Sequence, residues 1–348
     1  MSFTDFTVAY LLFEMKLLAL LLLLVTISLS VSADVTWKCI QVKSLQALTP
    51  SGSVGWSALN CTDTADPPLL HVNTISIDLS AKDVRIVPGV SKDSSQPLMT
   101  VSAMAATNKD KNFIAGINGG YFWRTDITPF WMDDVCRGKL RKEAEQPAEA
   151  DKPNNGIHDG YIKIEGQLVG SNCDCWGFSR PAIASNADAS SESGWNINVV
   201  HRGEQGSPEV INGIGAGPNL VSFTKNADGT YSSFVDIPSD DDNININEHA
   251  ANTGMGLIFD EVTGKAVKMI FVVTDGSDEC GRLDQSCGIN AKHLAQLMID
   301  QFHVHQAMSM DQGGSTTMWV KGAPGDGVVS YAGGSARNVA NSLFVEQI

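Results

Sequence analysis

Ala307-Met308-Ser309-Met310-Asp311-Gln312-Gly313-Gly314-Ser315-Thr316-Thr317-Met318-Trp319-Val320-Lys321 reads as two short apolar runs around a polar, glycine-containing break. Neither run is long enough for a stable helix, so Ala307–Met310 and Met318–Lys321 are predicted as strands delivering the chain into a loop and out of it. In that loop, consecutive glycines let the backbone approach a ligand closely and turn several N–H groups into one concavity, while Ser315, Thr316 and Thr317 add hydroxyls. The pattern suits a cradle for an anion or a sugar. A Walker phosphate loop is excluded, because no Gly-Lys-Ser/Thr follows and no helix begins there.

The same alternation extends upstream. Lys265–Val273 reads as a strand broken by Asp275-Gly276, and Asn290 caps a helix whose Ala291, Leu294, Ala295, Met298 and Phe302 form one apolar stripe. Tyr161–Val169 reads as a hairpin turning at Glu165-Gly166, Phe113–Ile117 as a buried strand, and Met99–Thr107 as a helix. Val72–Val87 predicts two strands around a turn at Ser80–Asp83, and the polar stretch Glu143–Gly156 a surface insertion. Strands without a βαβ rhythm, with two or three helices, predict an α+β fold: mixed β-sheets with a few packed helices in a single domain.

Compartment decides how the cysteines are read. From Met15 the chain carries one positive charge at Lys16, an apolar run Leu17–Ile27 and small residues ending at Ala33, the pattern of a signal peptide spanning residues 1–33 with its true start at Met15. The run is about half of the roughly 20 residues a membrane span needs, so no stable membrane anchor is expected. All seven cysteines lie beyond it and read as disulfide partners in an oxidising compartment, Cys280 with Cys287 and Cys39 with Cys61 first. Connectivity for Cys136, Cys173 and Cys175 stays open. Asn60-Cys61-Thr62 is the sole glycosylation sequon. Net charge is 24 − 39 = −15, without an extended basic cluster, which argues against a nucleic-acid partner.

Several uncommon strings recur in one order. Ile117-Asn118-Gly119-Gly120-Tyr121-Phe122, Gly215–Val221, Thr253-Gly254-Met255-Gly256, Asp311–Thr317 and Arg337-Asn338-Val339 together resemble the phosphodiester glycosidase family. The resemblance covers residues 97–348, with 34–96 as a β-rich N-terminal segment of the same domain. It implies a secreted or lumenal hydrolase that cleaves a sugar-1-phosphodiester of the N-acetylglucosamine-phosphate type, or a related glycosidic bond, at the anomeric carbon. Asp275, Asp311 and Asn118 fall on the family's catalytic strings. Gly119, Gly120, Tyr121, Asn252, Thr253, Gly313, Gly314, Ser315, Thr316 and Arg337 are the implied substrate-binding positions. A carboxylate must attack the anomeric carbon or activate water, and Asp275 and Asp311 are the candidates for either role. No cofactor or metal is implied, and the partner is a carbohydrate or sugar phosphate.

The departures matter too. Asn252 and Cys287 stand where the family carries arginines, His293 where it carries a glutamate, and Gln312 where it carries glycine. Arg337 is the surviving phosphate clamp, with Arg282 as a nearby substitute. The alternative these losses raise is a catalytically inactive carbohydrate-binding protein of the same fold. Three further features read as non-functional. His303-Val304-His305 lacks a third metal ligand, Asp240-Asp241-Asp242 lacks the rest of a calcium loop, and Gly213–Gly217 opens no helix after Pro218.

Overall fold

The computed structural model describes residues 35–42, 70–81, 83–91, 97–122, 158, 160–169, 180–186, 194–200, 208–238, 246–276, 288–323, 326–331 and 336–348. In chain order its strands are β1 (Val35–Val42), β2 (Leu70–Asp78), β3 (Val84–Val90), β4 (Phe113–Asn118), β5 (Ile162–Ile164), β6 (Gln167–Leu168), β7 (Arg180–Ser185), β8 (Trp195–Val200) and β9 (Asn212–Gly215). They continue with β10 (Asn219–Lys225), β11 (Tyr231–Val235), β12 (Asn252–Phe259), β13 (Ala266–Thr274), β14 (Gln306–Ser309), β15 (Thr317–Val320), β16 (Val328–Tyr331) and β17 (Asn341–Gln347). Two α-helices, α1 (Val101–Thr107) and α2 (Ala291–Phe302), are the helical content of the described residues apart from a 3-10 turn at Gly313–Ser315.

Every sheet is antiparallel. The seven-stranded sheet runs β1-β2-β13-β12-β14-β10-β11, a five-stranded sheet β16-β15-β4-β17-β3, and a second five-stranded sheet β6-β5-β9-β7-β8. β13 explains the layering. Its Met269, Phe271 and Val273 join a core shared by all three sheets, while Ile270 and Val272 face the opposite side, where α2 packs. A strand buried on both faces must read as a continuous apolar run. Phe271 is wholly buried, a contribution of about 2–3 kcal/mol. On the far side, α1 packs on the first five-stranded sheet through Val101, Met104, Phe113, Trp319 and Phe344.

The expected α+β balance is corrected: among the described residues the fold is predominantly β, three antiparallel sheets with two helices outside them. Strands such as Asn212-Gly213-Ile214-Gly215 and Asn252–Phe259 lack the β-branched signature, because close packing dictates their composition. A Cβ on Gly254 would sit 2.9 Å from Met298 Sδ, and one on Gly256 2.6 Å from Val304 Cγ1, so these glycines let α2 approach β12. The two strands expected across Val72–Val87 form but separate at their turn, β2 entering the seven-stranded sheet and β3 a different one.

Local expectations hold elsewhere. Asn290 Oδ1 accepts the His293 N–H at 2.9 Å and caps α2, and Ala291, Leu294, Ala295 and Met298 are buried along its stripe. The β5–β6 hairpin turns through Glu165 (φ 49°) and Gly166 (φ 81°). The insertion at 143–156, the Asp240–Asp242 run, Asn60, Arg282 and the cysteine pairings lie outside the described residues.

Candidate active site

The site forms where three strands end together. β12 lies between β13 and β14, with Asn252 opposite Thr274 and Gly254 opposite Ser309. Asp275 leaves the end of β13 and Asp311 follows the end of β14, so both carboxylates emerge at one end of the seven-stranded sheet, one strand apart. At ordinary strand spacing their backbones lie about 10 Å from each other. Two further bonds fold the glycine loop over this end: Met310 N–H donates to Thr253 O at 2.8 Å, and Gly313 N–H to Ala251 O at 2.8 Å.

Asn118, at the end of β4, ties the second sheet to the same place. Its Oδ1 accepts from Thr253 Oγ1 at 2.6 Å and from Thr317 N–H at 3.0 Å; its Nδ2 donates to Asp311 O at 2.7 Å. Fully buried and bonded on both amide atoms, Asn118 is placed as a strut between loops. Gly119 continues the connection, accepting from Asp311 N–H at 3.0 Å and donating to Asn341 O at 2.9 Å. Both backbone polar groups of Asp311 are thus held by the dipeptide Asn118-Gly119.

The five strings meet directly or through the end of β14. A Cβ on Gly120 would run into Gly215 O, and Tyr121 Oη donates to Gly217 O at 2.8 Å, joining the first string to the second. Gly217 N–H reaches Ser309 O at 2.9 Å beside the loop, and Met310 N–H the Thr253 carbonyl of the third string. A Cβ on Gly314 would meet Arg337 Cζ at 2.8 Å, so the guanidinium lies directly over that glycine. Gly313 takes φ 62°, the left-handed conformation that favours glycine. The hydroxyls of Ser315, Thr316 and Thr317 are buried, with no hydrogen-bond partner among the described residues, which is the chemistry a hydroxylated ligand or ordered water satisfies.

Asn252 behaves differently from its neighbours. It is buried, and its Nδ2 turns inward to Ile289 O at 2.6 Å and Ala250 O at 3.1 Å. Behind it His249 and His293 stack with ring centroids 5.7 Å apart. Burial first, then the neighbouring His249 and Lys292, brings His293 down to about 4, and burial lowers His249. His305 uses Nδ1 to accept the Phe259 N–H at 2.8 Å, and His303 caps α2 at φ 54°. Among the described residues no group of three or more His, Cys, Asp or Glu is arranged to hold a metal ion. None of the helices described is long and apolar enough to cross a membrane.

Two participants escape the sequence reading. Asn341 opens β17 and supplies the carbonyl that anchors Gly119; its Nδ2 lies 3.1 Å from Nδ1 of His158, which pairs in an isolated bridge with Phe122. Burial pushes His158 down to about 4. Neither sits in a distinctive string, so only proximity in the fold identifies them.

Set beside known proteins, residues 111–346 match a family profile described as phosphodiester glycosidase. The catalytic domain of zebrafish N-acetylglucosamine-1-phosphodiester alpha-N-acetylglucosaminidase, auto-inhibited by its pro-peptide, superposes with TM-score 0.54 and 16% identity over 92% of this chain and 85% of that one. A hypothetical protein from Synechocystis gives TM-score 0.48 and 14% identity over 91% of this chain and 63% of that one. At 16% identity the likeness to the zebrafish domain is one of fold. No curated protein sequence matches the chain.

Proposed function

This chain belongs to the phosphodiester glycosidase family, and from that membership we propose that it hydrolyses a sugar-1-phosphodiester of the N-acetylglucosamine-phosphate type at the anomeric carbon. The observation that supports this most is that Asp275 and Asp311 follow strands ending at the same end of one sheet, with Arg337 over Gly314 in the loop that Asp311 opens. In this reading the Arg337 guanidinium over Gly314 clamps the phosphate. Phosphate is a good leaving group and needs little acid assistance. The demanding step is therefore delivery of a nucleophile to the anomeric carbon. Asp311, whose backbone is gripped at both polar atoms, is assigned that delivery, by direct attack or through water, and Asp275 is the second carboxylate. The buried hydroxyls of Ser315 and Thr316 are assigned to the sugar.

Incubation with UDP-N-acetylglucosamine and with sugar-phosphate diesters tests the reading. Release of free sugar is expected from the wild type, and none above an Asp311→Ala control would sink it. Proton NMR of the first-formed anomer then separates retention from inversion.

One observation favours the second reading, an inactive carbohydrate-binding protein: Asn252 directs its amide inward to Ile289 O, so no cation stands at that position. Glycan binding unchanged in Asp275→Ala and Asp311→Ala variants, without turnover, would establish it. We further propose entry to the secretory route through residues 1–33, with Cys280–Cys287 and Cys39–Cys61 disulfides and glycosylation at Asn60. Secretion of a chain beginning at Asp34 and non-reducing mass mapping check those assignments.

A further inference from the structure

We propose that His158 is a positioning residue for the Asp311 loop, acting through a relay formed by Asn341 and Gly119. The relay is a continuous set of hydrogen bonds. Asn341 Nδ2 faces His158 Nδ1 at 3.1 Å; Asn341 O accepts the Gly119 N–H at 2.9 Å; Gly119 O accepts the Asp311 N–H at 3.0 Å. An amide NH2 can only donate, so Nδ1 is the acceptor and the imidazole proton resides on Nε2. His158 is also fixed from its backbone side by its bridge to Phe122, the last residue of the string that begins with Asn118. His158 therefore braces both ends of the 118–122 segment: Phe122 through its backbone bridge and Gly119 through its ring and Asn341.

Glycine is required in the middle of this relay. A Cβ at position 119 would run into Asn341 Oδ1, so Asn341 and the 118–119 peptide are packed without slack and a shift of one must be taken up by the other. Protonation of Nδ1 would remove the acceptor that Asn341 faces and set a donor against a donor. Burial, the sole cause of the lowered pKa, keeps the ring neutral down to about pH 4. The described groups set against it, Asn341 and Phe122, carry no charge. The charged groups reached through the relay are Asp311 and, over Gly314, Arg337.

The consequence for turnover rests on the glycosidase reading; the relay itself does not, and the test separates them. The full chain carrying Asp311→Asn, labelled with 15N, is titrated downward from pH 6.5, so that the carboxylate at 311 contributes nothing. The Gly119 amide resonance is expected to move with the His158 ring, with a midpoint near pH 4, and to stay still in the same chain carrying His158→Gln. A ring that titrates while Gly119 does not, or a Gly119 shift identical in the His158→Gln chain, would overturn the relay. In the otherwise native enzyme, His158→Leu is expected to lower kcat by on the order of 10- to 100-fold with KM little changed. His158→Gln, whose Oε1 can accept from Asn341, restores most of it. Equal kcat in His158→Leu and wild type would overturn the positioning role.

Discussion

The glycine pair at 119–120 and the glycine pair at 313–314 look alike in sequence but are used in different ways. At the first pair an added Cβ strikes fixed atoms: the Asn341 side chain, itself braced by His158, and the Gly215 backbone carbonyl. At the second pair Gly313 has open space but a left-handed φ of 62°, and the atoms nearest a Cβ on Gly314 are the guanidinium end of exposed Arg337. The first pair lets two sheets close on each other. The second leaves a backbone surface under a cation. Glycine therefore marks scaffold in one place and ligand approach in the other, and what stands above the missing Cβ decides which.

The sharpest break between the two regions is chemical. Asp311→Asn is expected to cut turnover by about 10³-fold or more while leaving the thermal midpoint within a few degrees, measured by sugar release and calorimetry. Gly120→Ala should do the reverse of a site change and destabilise the whole domain by roughly 3 kcal/mol or more, read from the denaturant midpoint, because a backbone carbonyl cannot step aside. Gly314→Ala, by contrast, should cost under about 1 kcal/mol in stability, since the Arg337 head group is free to swing away, and show its effect as a raised KM. If the two alanines destabilise equally, the contrast between scaffold and cradle fails.

Acid sharpens the comparison on the scaffold side. His158 and His293 have folded pKa values of about 4 against 6.5 unfolded, so between those values the unfolded chain binds more protons. Stability is present in full above pH 6.5 and falls as pH drops toward 4, by up to about 3 kcal/mol for His158 and by less for the less enclosed His293. Thermal midpoints from pH 7 to 4 should fall less steeply in His158→Gln and in His293→Gln. Thr253→Val should likewise cost little, about 1 kcal/mol in the denaturant midpoint, because Asn118 Oδ1 keeps the Thr317 N–H when the hydroxyl is lost.

Local features were legible because local physics produces them. The Asn290 cap, the α2 stripe, the Glu165-Gly166 turn and the β13 run each follow from short-range pattern. The strand content was under-read because β9 and β12 trade β-branched residues for Gly, Asn and Thr where another element packs closely. Sheet membership was hidden as well: the sequence of the turn expected at Ser80–Asp83 looks the same whether the strands on either side pair or, as β2 and β3 do, enter different sheets.

The candidate site divides along the same line. By itself the sequence determined which strings are unusual, that Asp275 and Asp311 each follow a strand, and that the loop after β14 offers glycines and hydroxyls. Only the tertiary structure decided that Asn118 is a strut with both amide atoms bonded, that Asn252 turns away to Ile289, and that His158 and Asn341 brace Gly119. Residue type and chain neighbours fix what a side chain can donate or accept. Which partner it meets depends on residues far away in the chain, 193 positions apart for Asn118 and Asp311 and 183 for Asn341 and His158, and only the closed fold brings those together.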